Sequence, residues 1–225
     1  MFADAELTKH GREKRFGPFV VYLVLFFGVW TAWVYLIYPR VDALGSATLA
    51  YACVSIGFRL LVWVLPVFLY LRFVDGTNPV EYLKLRENWK RGLLVGLAVS
   101  VLNFAGTWAR FGQPHLSAQY VTWNSVVGTS FLIGFVEEIP FRGFVLQKFE
   151  ERFGFWVANL ISSLLFLGIH LPGWISLHLL NAATVISVFV FGVVIAILLK
   201  LSKSLWACIV AHSLNDFISF VLFHI

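Results

Sequence analysis

The chain has 225 residues, of which 60% are apolar and only 13% are charged, with a mean hydropathy of +0.83. A soluble domain contains about 45–50% apolar and about 25% charged residues, so the composition excludes a soluble protein and indicates a polytopic membrane protein. The net charge of +5 comes from cations spread over short segments between apolar runs. This pattern predicts contact with the lipid bilayer and no nucleic-acid partner.

Residues 1–17 are polar and basic, and we predict that they form a cytoplasmic N-terminal segment. The apolar run from Pro18 to Tyr38 is longer than the core of a signal peptide, which is about 7–15 residues, so we expect an uncleaved first span. A transmembrane helix needs about 20 mainly apolar residues. That length predicts seven spans, at 18–38, 47–71, 92–109, 124–147, 155–171, 175–199 and 204–224.

The distribution of Lys and Arg predicts the orientation of these spans. Four cations precede the first span, five lie between spans two and three, two follow span four and two follow span six. The opposite connections carry only Arg40 and Arg110. Because cytoplasmic loops are enriched in Lys and Arg, we expect a cytoplasmic N-terminus and, with seven spans, a C-terminus outside.

The N-terminal membrane region, 18–123, contains one polar connection with its own helical pattern. Asn78 precedes Pro79, and this pair is typical of a helix cap followed by the first helical residue. Large side chains then recur at helical spacing, at Tyr82, Leu85 and Trp89. We predict an interfacial amphipathic helix over 79–91, which would serve as an anchor or as a docking surface.

The C-terminal region, 124–225, places ionisable groups inside apolar runs. Glu137, Glu138 and Asp216 are the three acidic residues that the predicted spans bring deep into the membrane. An ionised group there costs about 3 kcal/mol on insertion scales. Such residues indicate a functional site that faces a bundle interior or a water-filled cavity.

The fourth predicted span carries two carboxylates with different surroundings. Glu138 and Arg142 are four residues apart and share a helix face, so we predict that they pair. Glu137 lies about 100° further around the helix and has less access to that cation. A carboxylate without a dedicated cation is the better candidate for a general base. Pro140 removes a backbone donor and is expected to kink this helix.

Two later spans bring imidazole groups. His212 and Asp216 are four residues apart on the last span, a spacing that suits metal binding or the orientation of a water. His170 ends an apolar run, where Pro172 is expected to help stop the helix. A carboxylate and two histidines around one water form a hydrolase arrangement. Each cluster also has a structural interpretation: a buried ion pair, a histidine bonded to a backbone carbonyl, or a simple side-chain hydrogen bond.

Three short motifs occur in order on these predicted spans: Glu137-Glu138-x-x-x-Arg142, Phe166-x-x-x-His170 and His212-x-x-x-Asp216. In this order they resemble the motifs of the CPBP family, the CAAX-protease and bacteriocin-processing intramembrane proteases, also called the Abi family. The resemblance covers about residues 124–224. It implies an all-α intramembrane endopeptidase.

The resemblance also implies roles for individual residues. Glu137 would activate water as the base, while Glu138 and Arg142 would shape the site. Three side chains would hold a metal ion or stabilise the oxyanion: His170, His212 and Asp216. Two histidines and one carboxylate would suit zinc with an open position for water, so the predicted cofactor is a divalent metal, zinc. Many relatives have Asn at the position of Asp216, and the added negative charge favours the metal.

The sequence therefore predicts an all-α, polytopic transmembrane helix bundle of about seven spans that hydrolyses a peptide bond in a membrane-associated or lipidated protein or peptide. Two other classes stay open. One is a non-catalytic relative that binds and modulates another membrane protein, and the other is a transporter with a proton-relay carboxylate, which the lack of an inverted repeat disfavours. In the predicted ladder of spans, His170 lies toward the outer face, away from Glu137 and His212.

Overall fold

The computed structural model describes the backbone of residues 2–225 and the side chains from residue 16 onward. The side chains of residues 1–15, most of the predicted N-terminal segment 1–17, lie outside the described residues. Within residues 2–225 all regular secondary structure is helical, without a strand. The all-α class is therefore confirmed.

Seven long helical runs make up the described part of the chain, and we number them in chain order. They are α1 (Phe2–Asp42, with the candidate span at Phe16–Asp42), α2 (Leu49–Val74), α3 (Trp89–Phe111), α4 (124–153), α5 (Phe155–Ser176), α6 (Ala182–Ser202) and α7 (Leu205–Phe223). All except α4 are long and apolar enough to cross a membrane. The fold is a polytopic helical bundle, and its span count is close to the predicted seven.

The fourth predicted span, 124–147, is present as α4 but differs from the others in composition and position. Its charged and small polar residues keep it below the apolar content of the six candidate spans. Every residue from 136 to 146 is buried. α4 therefore runs inside the bundle, and its charges face other helices rather than lipid. It continues to Phe153, six residues beyond the prediction.

Several runs contain π-helical turns, which are wider than α-helical ones: Trp33–Ile37, Leu60–Val64, Tyr70–Val74, Asn124–Phe131, Ile139–Val145 and Phe217–Phe223. Pro39 and Pro66 each follow such a turn by two residues, and Pro140 lies within one. Because proline has no N–H, the backbone ladder is rearranged near it. The disturbance expected at Pro140 is thus a π-helical turn directly after Glu138.

Glycines allow the central helices to approach closely. A Cβ atom on Gly134 of α4 would lie 2.6 Å from the carbonyl oxygen of Ile209 on α7. A Cβ atom on Gly96 of α3 would lie 3.0 Å from the carbonyl oxygen of Ala207, also on α7. Any side chain at these positions would push the backbones apart. Gly134 therefore allows α4 and α7 to approach to the distance at which their polar groups meet, and Gly96 allows α3 to approach α7.

The predicted interfacial helix over 79–91 is wrong in its length. The helix spans only Pro79–Tyr82, and Asn78 caps it as predicted by accepting a hydrogen bond from the Val80 amide at 3.0 Å. The chain then turns, because Leu83 is fully buried beside Gly143 of α4. A continuing surface helix would not insert this side chain into the core.

Polar side chains fix this connection to the end of α4. The Tyr82 hydroxyl donates to Glu151 at 2.7 Å, and Lys148 pairs with Asp75 at 2.6 Å. Burial, followed by the negative charge of Glu151, raises the pKa of Tyr82 above its ordinary value of 10.0.

Two predicted helix ends are also wrong. α5 continues through Pro172 to Ser176, because one missing N–H removes a single backbone bond and the helix tolerates it. The next helix was expected from residue 175. It begins at Ala182, where the Asn181 side chain caps it by accepting from the Thr184 amide at 3.0 Å.

Candidate active site

The site begins with an ion pair inside α4. Glu138 is 0% exposed, and its Oε1 accepts a hydrogen bond from Nη1 of Arg142 at 3.2 Å. Their spacing places both on one helix face, and the predicted pair is confirmed. Since both groups are fully buried, each depends on the other for its charge compensation.

His212 connects α7 to this pair. Its Nδ1 lies 2.6 Å from Oε1 of Glu138, and since a carboxylate only accepts, we assign the proton to Nδ1. The other ring nitrogen, Nε2, lies 3.9 Å from Glu137 and 3.6 Å from Asp216. One imidazole therefore lies among three carboxylates from two helices.

The Arg142 guanidinium also contacts α5 and α6. Its Nη2 donates to the carbonyl oxygen of Gly192 at 3.3 Å, and its carbon lies 4.0 Å from the ring centroid of Phe166. A Cβ atom on Gly192 would lie 3.4 Å from Nη2 and 3.2 Å from Ser163, so glycine gives the guanidinium room to reach the carbonyl. Arg142 thus joins three helices through one cation.

Asp216 uses one carboxylate oxygen, Oδ2, toward His212 and the other, Oδ1, toward an amide. The Asn215 amide donates to Oδ1 of Asp216 at 3.0 Å, and Asn103 of α3 donates to Asn215 at 3.2 Å. Asn103 was not predicted as part of the site. An amide in an otherwise apolar span was the signal that could have indicated it.

His170 has one ring nitrogen committed to its own helix. Nδ1 lies 2.9 Å from the carbonyl oxygen of Phe166 and must donate, which leaves the lone pair on Nε2. The ring packs against Trp174 at 5.2 Å between centroids. Among the described residues, no hydrogen bond or ion pair joins His170 to the Glu137–His212 group. Instead, the Phe166 ring contacts both imidazoles, with centroids 5.0 Å from His170 and 6.0 Å from His212.

The expected separation of His170 from the other groups along the membrane normal is wrong. α4 ends at Phe153 and α5 begins at Phe155, so the two helices form a tight hairpin around Gly154. Glu137 lies 16 residues before Phe153 and His170 lies 15 residues after Phe155. At a rise of about 1.5 Å per residue these distances are about 24 and 23 Å, so the two side chains occupy similar levels.

The donor set does not fit the predicted zinc as it is arranged. Within residues 16–225, no three His, Cys, Asp or Glu side chains are placed to hold a metal ion together. Nδ1 of His212 is taken by Glu138, and Nδ1 of His170 by a carbonyl. The metal therefore stays a prediction.

The arrangement is suited to proton transfer. Glu137 is 6% exposed and accepts no hydrogen bond from any described residue, although it lies beside Nε2 of His212. Its lone pairs are therefore available to a water molecule. Glu138, which is itself paired with Arg142, holds Nδ1 of the imidazole, so Glu137 and Nε2 of His212 are the groups that remain available for proton transfer.

The fold and site define an integral membrane protein with a buried carboxylate–imidazole cluster. Residues 118–218 match the family model described as Rce1-like, type II CAAX prenyl endopeptidase Rce1-like. This segment contains all seven residues that the three motifs name: Glu137, Glu138, Arg142, Phe166, His170, His212 and Asp216. The match confirms the resemblance to the CAAX-protease family over the segment that carries the motifs. No curated protein and no solved structure matches the chain.

Proposed function

We propose that the protein is an intramembrane endopeptidase in which Glu137 activates the attacking water. The observation that supports this most directly is the pairing of a buried carboxylate that accepts no hydrogen bond with an oriented imidazole 3.9 Å away. Glu138 orients that imidazole through Nδ1 at 2.6 Å. A base beside an oriented histidine is the geometry that general acid–base catalysis requires.

The reaction is hydrolysis of a peptide bond. Glu137 takes a proton from water as the water oxygen forms a bond to the carbonyl carbon. In the doubly protonated form of His212, Nε2–H donates a hydrogen bond to the developing oxyanion and keeps its proton. The carbon–nitrogen bond then breaks, and the leaving nitrogen receives the proton held by Glu137. The products are a carboxylic acid and an amine, and transfer of the acid's proton to the amine gives a carboxylate and an ammonium group.

The other motif residues position this pair. Glu138, paired with Arg142, holds Nδ1–H of His212 and fixes the ring orientation, and Asp216 lies 3.6 Å from Nε2. His170 carries a lone pair on Nε2, and we assign it to a second contact with the attacking water. Enclosure of these groups among helices excludes bulk water and strengthens each electrostatic contact.

We propose a lipidated or otherwise membrane-associated protein or peptide as substrate, with the N-terminus of the enzyme in the cytoplasm. The family match provides the substrate class, and the bias of Lys and Arg provides the orientation. A cysteine-accessibility measurement on intact cells, with single cysteines placed at Arg40 and at Lys203, tests the orientation. Labelling of the Arg40 position alone by an impermeant reagent is expected, and labelling of the Lys203 position alone would contradict it.

The hydrolase is tested with purified protein in detergent and a set of prenylated peptides, followed by mass spectrometry of the products. Wild type is expected to cleave at least one peptide, and Glu137→Gln to lose about 10²-fold or more of the rate because the general base is removed. Glu81→Gln, a change of an exposed carboxylate, is the matched control. Equal cleavage by wild type and Glu137→Gln would contradict the role of Glu137. Full biological effect of Glu137→Gln would favour the non-catalytic binding protein.

The zinc hypothesis has a separate test, which is metal content by mass spectrometry of the purified protein. About one zinc per chain in wild type, lost in the His170→Ala, His212→Ala double variant, would support a metal site. A folded protein with no metal in either form would contradict the zinc and leave the water activated by Glu137.

A further inference from the structure

One face of α2 carries a row of polar side chains that neither the motifs nor the family match includes. Ser55, Arg59 and Trp63 follow one another at intervals of four residues and therefore lie on one side of the helix. All three precede the family match, which begins at residue 118. We call these three residues the α2 donor row.

Each member of the α2 donor row has a buried polar atom without a hydrogen-bond partner among the described residues: Oγ of Ser55, Nε of Arg59 and Nε1 of Trp63. Trp63 is only 1% exposed. An unpartnered buried polar group costs about 1–3 kcal/mol, and more when it is charged. Three such groups on one helix face are unlike the rest of the bundle and indicate a missing acceptor.

Arg59 is the strongest of these groups. Its guanidinium lies 5.7 Å from the ring centroid of Trp30 and 5.8 Å from that of Trp63. No carboxylate of residues 16–225 forms an ion pair with it. The two indoles hold the cation by cation–π contact but supply no hydrogen-bond acceptor. A planar guanidinium held in this way presents its N–H groups to a ligand.

The α2 donor row lies beside the proposed active site. The Trp30 ring contacts the Arg59 guanidinium, and its Nε1 donates a hydrogen bond to the carbonyl oxygen of Ile169 at 2.6 Å. Ile169 directly precedes His170 in α5. Arg59 is also close enough to Glu137 for their charges to interact. α2 packs directly against α4. The row therefore lies near both the general base and His170.

We propose that the α2 donor row binds a carboxylate of the peptide substrate, with Arg59 as the charged anchor and Ser55 and Trp63 as neutral donors. This inference rests on the proposed function, since it describes how that site recognises its substrate. Arg59 is a specificity-determining residue here and takes no part in bond breaking.

The chemistry of the row selects a carboxylate. Its three orphan atoms are two N–H donors and one hydroxyl, with one positive charge and two apolar indole walls, which match a planar monoanion. A dianionic phosphate would meet the repulsion of Glu137 with only one cation to offset it. An ammonium group would face a cation and no acceptor except the hydroxyl. The carboxylate belongs to the chain terminus of the substrate or to an Asp or Glu side chain.

The test is a binding measurement that does not depend on hydrolysis. The probe is a dansylated pentapeptide of apolar residues, prepared as the free acid, as the C-terminal amide and as an amide with one internal Glu. Binding to Glu137→Gln protein in detergent is followed by energy transfer from tryptophan to dansyl. We expect the free acid to bind about tenfold more tightly than the amide, and Arg59→Gln to reduce that preference to about twofold or less.

Matched variants separate recognition from folding. Arg59→Lys keeps the charge without the planar fork and should retain part of the preference, and Ser55→Ala should lower it about threefold. Arg110→Gln, an exposed arginine at the end of α3, is the control and should leave the preference unchanged.

Each outcome is informative. Tight binding of the free acid alone identifies a terminal carboxylate, whereas equal binding of the internal-Glu amide identifies any carboxylate. No preference for either acid, or a preference that Arg59→Gln leaves intact, would overturn the proposal. Because the probe is read by binding, loss of peptide cleavage in wild type would count against the proposed hydrolase and leave this result standing.

Discussion

Two polar regions lie inside the same bundle, and they differ in how their charges are compensated. Around His212, the cation Arg142 and the carboxylate Glu138 are both fully buried and bonded to each other. Around Arg59, the cation has two indole neighbours and, among residues 16–225, no ion pair. The first region is largely complete within the chain, whereas the second has donors in excess.

This difference indicates that the Glu138–Arg142 pair is structural framework, whereas the α2 donor row is the part that contacts the substrate. A buried pair that lost one member would leave a bare charge in a low dielectric, so the Glu138–Arg142 pair acts as a unit. A cation that is held by cation–π contacts and has no ion pair should give up less when it is removed. Substitutions at the two arginine sites should therefore have unequal effects on stability.

The largest expected effect comes from breaking the buried pair. Glu138→Gln should lower the free energy of unfolding by about 3–5 kcal/mol, because Arg142 keeps its charge and loses its carboxylate. Arg59→Gln should change it by about 2 kcal/mol or less, because cation–π contacts are lost but no ion pair is. Unfolding in mixed micelles, followed by circular dichroism, measures both values. Equal destabilisation by the two variants would remove the distinction between the regions.

The close approach of α4 and α7 is the next test. Gly134→Ala should cost about 1–3 kcal/mol, because the new Cβ would meet the Ile209 carbonyl oxygen at 2.6 Å and the backbones must separate. The same separation would lengthen the Glu138–His212 hydrogen bond, so cleavage should fall as well. Gly28→Ala in α1 has nothing within 4 Å of its Cβ and is the matched control, with unchanged or slightly higher stability. Similar losses in both variants would argue against a close-packing role for Gly134.

Asp216→Asn separates orientation from metal binding. Asn keeps an oxygen acceptor near Nε2 of His212 and removes the charge, so the cleavage rate should fall by about tenfold or less if Asp216 only positions the ring. A metal ligand would behave differently, with loss of bound metal together with activity. The rate of peptide cleavage and the metal content, measured on the same preparation, decide between the two. Loss of about 10²-fold with loss of zinc would show that Asp216 does more than orient His212.

The sequence predicted those parts of the site that depend on helical spacing. Glu138 pairs with Arg142, and His212 lies near Asp216, because residues four apart on a helix share a face. The bond between Glu138 and His212 was not predicted, since it depends on how closely α4 and α7 pack and not on spacing within either helix. Gly134, which permits that packing, has no distinctive sequence pattern.

Other predictions failed where tertiary contacts override local pattern. Tyr82, Leu85 and Trp89 have the spacing of a surface helix, but burial of Leu83 at the core ends the helix at Tyr82. The level of His170 was misplaced because α4 was predicted six residues too short, which moved the start of the hairpin. The presence of long apolar helices could be predicted from hydrophobicity. The residues at which helices end, and the side chains that meet between helices, depend on tertiary packing.

The smallest expected effect lies outside both polar regions, at the Tyr82–Glu151 hydrogen bond. Tyr82→Phe should cost about 0.5–1.5 kcal/mol near neutral pH, since a hydrogen bond of 2.7 Å to Glu151 is lost. Folding raises the pKa of Tyr82, so its neutral form is the one that the folded protein favours. The stabilisation is therefore fully present below pH 10 and is lost as the pH rises above that value, where the unfolded chain ionises. The difference in unfolding free energy between wild type and Tyr82→Phe should thus shrink above pH 10, whereas Tyr35→Phe, a change at an exposed tyrosine, should behave as wild type throughout. A difference that stays constant between pH 8 and pH 11 would show that the hydroxyl is not held by the contact with Glu151.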